Sequence, residues 1–425
     1  MRRIKWYSIP IILMIFIFGC SNNTSEDTTD DSDNTIKIGV ILPFSGESSA
    51  YGSSEMQGIQ MAVDEINDAG GVLGKTIELV VCDSRSDPFQ ASLAAKDFVE
   101  NKNISFILGA DESPVSIEIR NMIAGNNVLQ ISGSSGVLKL TNDDANDSIF
   151  YRTVLSDYYQ ARVIADKLAA RGDTLVRVLY VDDDYGQEIS QTFKNRFDYY
   201  GTVEKMVPYE TGKVSYTAEI ESLFAGVDTP DSSQRTVFLI AYPRSGAQII
   251  RDWKASGYSA NWILSDELKA QEFITSAGAE NVEGLMGVSP YNGDIDYEYF
   301  KDDYEDFTGQ DPRKHRGIEN WYDAMILLGY AILYADTTDP YLVGKALQIV
   351  SSPPGDTVTY GNFSIGKEII NTTTVVGTLV VRGDINYEGV SGSVNMNNDG
   401  DIEDARYELW EIEDGQFVHI EELRP

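Results

Sequence analysis

Residues 41–75 read ILPFSGESSAYGSSEMQGIQMAVDEINDAGGVLGK: an apolar strand, a Ser/Gly loop, and an amphipathic helix closed by Gly70 and Gly71. Strand, small-residue loop and helix is the layout that holds phosphate on helix-terminal amides. The nucleotide signatures are missing. A GxxxxGK[ST] loop brings a Lys to the phosphates, and a dinucleotide fold needs GxGxxG. This loop offers Ser45, Gly46, Ser48, Ser49, Gly52, Ser53 and Ser54 with no Lys or Arg. Hydroxyls and amides of this kind hold one small anion, such as a carboxylate, at a helix N-terminus; the alternative is that Ser53 simply caps the helix.

Outward from this unit the alternation repeats. The strand-like runs TIKIGVILP, TIELVVCD, ISFILGA and NNVLQIS are separated by helical patterns such as SLAAKDFVENK, which predicts an α/β fold with a helix-covered parallel sheet. Past Tyr151 the cycle restarts with four further helix–strand pairs, from YYQARVIADKLAARG to NWILSD. Two comparable βα sets predict two lobes, and about 400 mature residues exceed one ordinary core. The C-terminal VSGSVNMNNDGDIEDARYELWEIEDGQFVHI alternates around turn signals and reads as a short antiparallel meander.

The N-terminus predicts the compartment. Arg2, Arg3 and Lys5 precede an apolar run from Ile9 to Phe18, then Gly19 and Cys20, the plan of an export signal too short to span a bilayer. IFGC resembles a lipobox, which implies cleavage before Cys20 and lipidation of its sulfur; the alternatives are an uncleaved anchor or a Cys lost with the signal. Residues 21–35 are polar and acidic, as in a solvated tether. The second cysteine, Cys82, lies in a strand pattern and reads as a core residue. A net charge of -34 repels nucleic acid and anionic lipid, so neither is an expected partner beyond the lipid anchor.

Catalytic sets are weak. The two histidines, His315 and His419, are far apart in sequence, which disfavours a His-based metal site or a Ser-His-Asp triad, and no GxSxG occurs. Asn395, Asn397, Asp399 and Gly400 begin like a calcium loop, but Arg406 stands where a bidentate Glu is needed, so a turn is the better reading. Asp182, Asp183 and Asp184 read as acidic capping of the next helix, with a metal as the alternative. No enzyme activity, cofactor or metal is expected.

Several segments together resemble the leucine/isoleucine/valine-binding protein family, the type I substrate-binding proteins of ABC importers. They are the segment from Ile36 to Ala91, FILGADES, LQISGSSGVLKLT, VDDDYGQ, AYPRSGAQIIRDWKASGY, ENWYDAMILL and GDINYEGVSGSVNMNNDGDI. The resemblance implies two Rossmann-like lobes joined by three crossovers and closing on a small ligand. The lobes are expected at 36–154 with 290–383, and at 155–289 with 384–425. It implies a monomeric, lipid-anchored, extracytoplasmic receptor that binds an amino acid and serves an ABC permease and its ATPase, or a sensor of the same fold, or a binder of an amide, urea or aromatic acid. The implied cleft contains Tyr51, Ser113, Ser134 and Ser135 from the first lobe and Tyr185, Tyr242 and Asp266 from the second. Ser113 would meet the ligand carboxylate and Asp266 its ammonium, while Glu267 stands where Gly is customary. Gly136 stands where Thr is usual, so restoring Thr is expected to preserve or tighten binding of an amino acid, and to weaken binding by a clash if the ligand has no α-carboxylate or is bulkier there.

Overall fold

The computed structural model describes residues 34–142, 149–226, 235–291, 295–376, 379–404 and 406–425. The leader, Cys20 and the acidic tether up to residue 33 lie outside these residues, and the last residue assigned to the tether, Thr35, already opens the first strand. The first lobe is built on five strands: β1 (Thr35–Leu42), β2 (Thr76–Asp83), β3 (Phe106–Gly109), β4 (Leu129–Ser132) and β5 (Phe150–Arg152), in the order β2-β1-β3-β4-β5. All four pairings are parallel, with Ile36 opposite Ile77 and Val40 opposite Leu108. The central strands are buried along their length, which is why they read as continuous apolar runs rather than alternating ones.

The second lobe holds β6 (Leu175–Val181), β7 (Thr202–Tyr209), β8 (Thr236–Ile240), β9 (Asn261–Leu264) and β10 (Met286–Pro290), all parallel. Between these and the C-terminal strands come β11 (Asp356–Val358), β12 (Thr373–Val376), β13 (Leu379–Arg382), β14 (Ile385–Gly389) and β15 (Gly392–Ser393). The hairpin of β16 (Tyr407–Glu413) and β17 (Gln416–Leu423) then adds antiparallel to β10, completing the order β17-β16-β10-β9-β8-β6-β7. Within the expected meander, this hairpin is joined by the antiparallel pairing of β15 with β14 and an antiparallel bridge between Met396 and Ile402. Asn397 instead forms a turn, its Oδ1 accepting from the amides of Asp399 at 2.9 Å and Asp401 at 3.1 Å.

The chain crosses between lobes after β5, after β10 and between β15 and β16. The third crossover corrects the expected division, which put 384–425 in the second lobe. β14 pairs with β11, and Asp323 on the buried helix Ile318–Ala335 accepts from Tyr387 Oη (2.7 Å), Val390 N (3.0 Å) and Ser391 N (2.8 Å). That helix packs along Gly52–Asp68 of the first lobe, so closely that a Cβ on Gly58 would lie 2.7 Å from the Ile318 carbonyl. Residues 385–393 thus belong to the first lobe, and the chain joins the other sheet only at Tyr407. The crossovers touch: Leu155 bridges Ile402, and Tyr291 N donates to the Arg406 carbonyl at 3.1 Å.

Candidate functional site

The C-terminal ends of both parallel sheets face one another, and each strand end there passes into a helix through a loop carrying polar side chains. From β1 comes Tyr51, ahead of helix Gly52–Asp68; no side chain caps that helix, so Ser53 is not its cap. From β3 come Asp111, Glu112 and Ser113, and from β4 come Ser134, Ser135 and Gly136. From β6, β8 and β9 come Tyr185, Tyr242 and Asp266. All eight expected site residues sit at this junction, and each of the seven with a side chain is less than a tenth exposed.

The lobes are closed on each other. Tyr51 Oη donates to the Glu267 carbonyl at 2.5 Å, and Ser245 N donates to Glu47 Oε2 at 3.0 Å. Asp157 N donates to the Gly136 carbonyl at 2.9 Å, beside the first crossover. Tyr185 Oη donates to Asp266 Oδ1 at 2.8 Å and its ring stacks on Tyr242, centroids 5.7 Å apart. Tyr242 Oη donates to Asp183 Oδ2 at 2.8 Å, and Asp183 Oδ1 accepts from Gly186 N at 3.0 Å, the capping role expected for this acidic run. Burial pushes the Asp183 carboxyl up to about 6.

The serines divide. Ser113 opens helix Ser113–Ile123 and is 3 % exposed. Ser134 Oγ accepts from Trp321 Nε1 at 3.0 Å and donates to Glu55 Oε1 at 3.1 Å. Its amide and that of Ser135 both donate to Ser132 Oγ, at 3.1 and 2.9 Å. Ser135 Oγ lies 3.0 Å from the Asp111 carbonyl and 2.8 Å from Ser116 Oγ, turned into its own lobe. At Gly136 a Cβ would lie 2.3 Å from Asp157 Oδ1 and 3.0 Å from Asp157 N, so Thr fits there only if the Asp157 side chain moves.

Sequence reading missed the centre of the site. Arg316, two residues before helix Ile318–Ala335, spans the cleft. Its guanidinium lies 4.6 Å from the Tyr51 ring centroid, 3.2 Å from Asp111 Oδ1 and 3.5 Å from Asp266 Oδ2, and pairs with Glu267. Around it stand Glu55, Asp111, Glu112, Asp157, Asp266 and Glu267, none more than 6 % exposed. Burial pushes the carboxyls of Glu55, Asp157 and Glu267 well up, and burial together with the neighbouring Asp111 charge raises Glu112 to about 8. Among the described residues no group of His, Cys, Asp and Glu is arranged to hold a metal ion, and no helix is long and apolar enough to cross a membrane. His315 instead meets Glu272 at 2.7 Å and His419 meets Glu408 at 2.8 Å.

Residues 35–351 match the family described as periplasmic binding protein. The Leu/Ile/Val-binding protein homolog 1 of Brucella suis is 28% identical over 321 residues, covering 74% of this chain and 82% of the relative. The chemotactic signal transduction system substrate-binding protein BasB of Halobacterium salinarum is 25% identical, covering 85% and 83%. Among solved structures, the branched-chain amino acid transporter substrate-binding protein LivJ of Streptococcus pneumoniae, in complex with isoleucine, superposes with TM-score 0.74 at 21% identity over 92% of this chain and 100% of that one. A solute-binding protein from R. palustris in complex with benzoate gives 0.67 at 17%, covering 92% and 97%.

Proposed function

Because the chain belongs to the periplasmic binding protein family, we propose that it is the extracytoplasmic receptor of an ABC importer, tethered through a lipid on Cys20, whose lobes close on an amino-acid-like solute. The observation that carries this reading is the interlobe closure itself. Tyr51 from one lobe bonds the Glu267 backbone of the other, and Arg316 ties Asp111 to Asp266 and Glu267. A ligand that replaces such contacts on both walls stabilises the closed form and leaves the open one untouched. In this reading Asp266 meets the ligand ammonium, Ser113 and the Ser134 loop its carboxylate, and Tyr51, Tyr185 and Tyr242 form the walls.

A second reading, delivery of the bound solute to a chemoreceptor, is favoured by the likeness to the Halobacterium chemotactic protein. Both readings share the same cleft. A thermal-shift screen of amino acids tests it, since a ligand that binds only the folded state raises the melting temperature. Uptake of the stabilising amino acid by cells with and without the gene then separates import from sensing. A screen in which no amino acid shifts the transition would remove the amino-acid assignment.

A further inference from the structure

The cleft gathers more carboxyl groups than a zwitterion needs. One ammonium requires one acidic partner, which Asp266 supplies, yet five more carboxyl groups stand within the same closed space: Glu55, Asp111 and Glu112 on one wall, Asp157 and Glu267 on the other. Each is at a helix start or in the turn that follows a strand, where a helix dipole tolerates an anion. Capping does not explain them: helix Ser113–Ile123 receives no side-chain cap from Glu112, and helix Asp157–Arg171 is capped by Ser156. What marks them as ligand groups is incomplete pairing. Among the described residues, Asp157 Oδ2 and Glu267 Oε2 are buried with no donor reaching them, which is costly for an acceptor away from water, while Glu55 and Asp111 have only a shared proton between them.

Arg316 shows which chemistry satisfies them. It is a planar cation lying over Tyr51 and touching three of the six carboxylates, the combination of aromatic face and acidic rim that selects guanidinium and ammonium groups. Arg152, the other cation acting on Asp157, is engaged by Asp401 at 2.8 Å and by the Val137 carbonyl at 2.9 Å. With one guanidinium among six carboxyls, burial keeps several of them protonated, and an entering cation would take the place of such a proton. We infer that the ligand carries net positive charge, with a second ammonium or guanidinium group that pairs with Glu55, Asp111 and Glu267 when the lobes close. This rests on the receptor reading and narrows its ligand to an organic cation. The source is either a basic amino acid, whose carboxylate would face Arg316 and Ser113, or a diamine without one.

Calorimetry on the full-length lipoprotein in detergent, with L-leucine, L-arginine and putrescine as probes, tests this. At least one of the two cations is expected to bind thirtyfold or more tighter than leucine. Arginine alone doing so identifies an α-carboxylate as part of the recognised group; putrescine doing so identifies a diamine. Glu267→Gln should lower affinity for the cation tenfold or more, and by a clearly larger factor than it lowers leucine affinity; an equal loss for both would count against a cation-specific role. Should that variant lose its folded circular dichroism, Glu55→Gln, which leaves the Arg316 ion pairs with Asp111, Asp266 and Glu267 in place, is used instead. Leucine binding as tightly as either cation, or failure of both cations to bind, overturns the inference. If leucine still compacts the molecule in X-ray scattering, the receptor reading survives without it.

Discussion

Asp266 accepts from Tyr185 and faces Arg316 in a space closed to water, so its charge is held by few groups. Asp266→Asn should weaken binding of the tightest amino acid by about 2–5 kcal/mol, because a buried cation loses its partner. Ser113→Ala should cost less, about 1–3 kcal/mol, as one donor is lost. Titration calorimetry ranks the two, and an Asp266→Asn protein binding like wild type would remove the ammonium role. Gly136→Ala places a methyl against Asp157 across the lobe boundary. It should loosen ligand binding tenfold or more and lower the melting temperature, since overpacking costs about 1–3 kcal/mol; an unchanged affinity would show that Asp157 yields freely. Asp266 and the tyrosines were legible because each follows a strand in a recognisable segment. Glu55 and Arg316 were not: their cluster is assembled from separate loops, and each looked locally like an ordinary polar residue at a helix start.

At the scale of elements, the helix Ser113–Ile123 begins at Glu112 with a carboxyl that burial and Asp111 push up to about 8, against the pull of the helix N-terminus. Ser48 and Ser86 face it from the first loops of the lobe, and Glu267 and Tyr242 face it from the other. The closed protein therefore keeps a proton that the unfolded chain releases near pH 4.3. The stabilisation is complete below that value and is lost as the pH rises toward 8, at about 1.4 kcal/mol per pH unit for each such group. Urea unfolding of the unliganded protein at pH 5 to 8 should show stability falling, and Glu112→Gln should flatten the slope; a rise with pH would contradict the buried, neutral carboxyl. The strand–helix alternation that builds these elements was readable because parallel strands buried on both faces are apolar throughout. The third crossover was misplaced because β14 is held by a three-residue pairing and by Asp323, neither of which leaves a periodic trace.

For the whole molecule, closure around a ligand predicts a smaller radius of gyration with ligand than without, measured by small-angle scattering; equal values would count against hinge closure. Attachment predicts that a Cys20→Ser variant leaves the detergent phase that holds the wild type, while identical partitioning would end the lipid-anchor proposal. Two lobes were legible from the restart of the βα pattern, but the closed arrangement was not, because it depends on side chains that meet only after the sheets face each other. The hinge has a mechanical consequence. With Leu155 bridged to Ile402 and Tyr291 bonded to Arg406, a bend at one crossover is passed to the next, as in a linkage that turns about a shared axis. Dye pairs placed at two different radii from that axis should then report the same fraction closed at every ligand concentration, and pairs that disagree would show the crossovers bending separately.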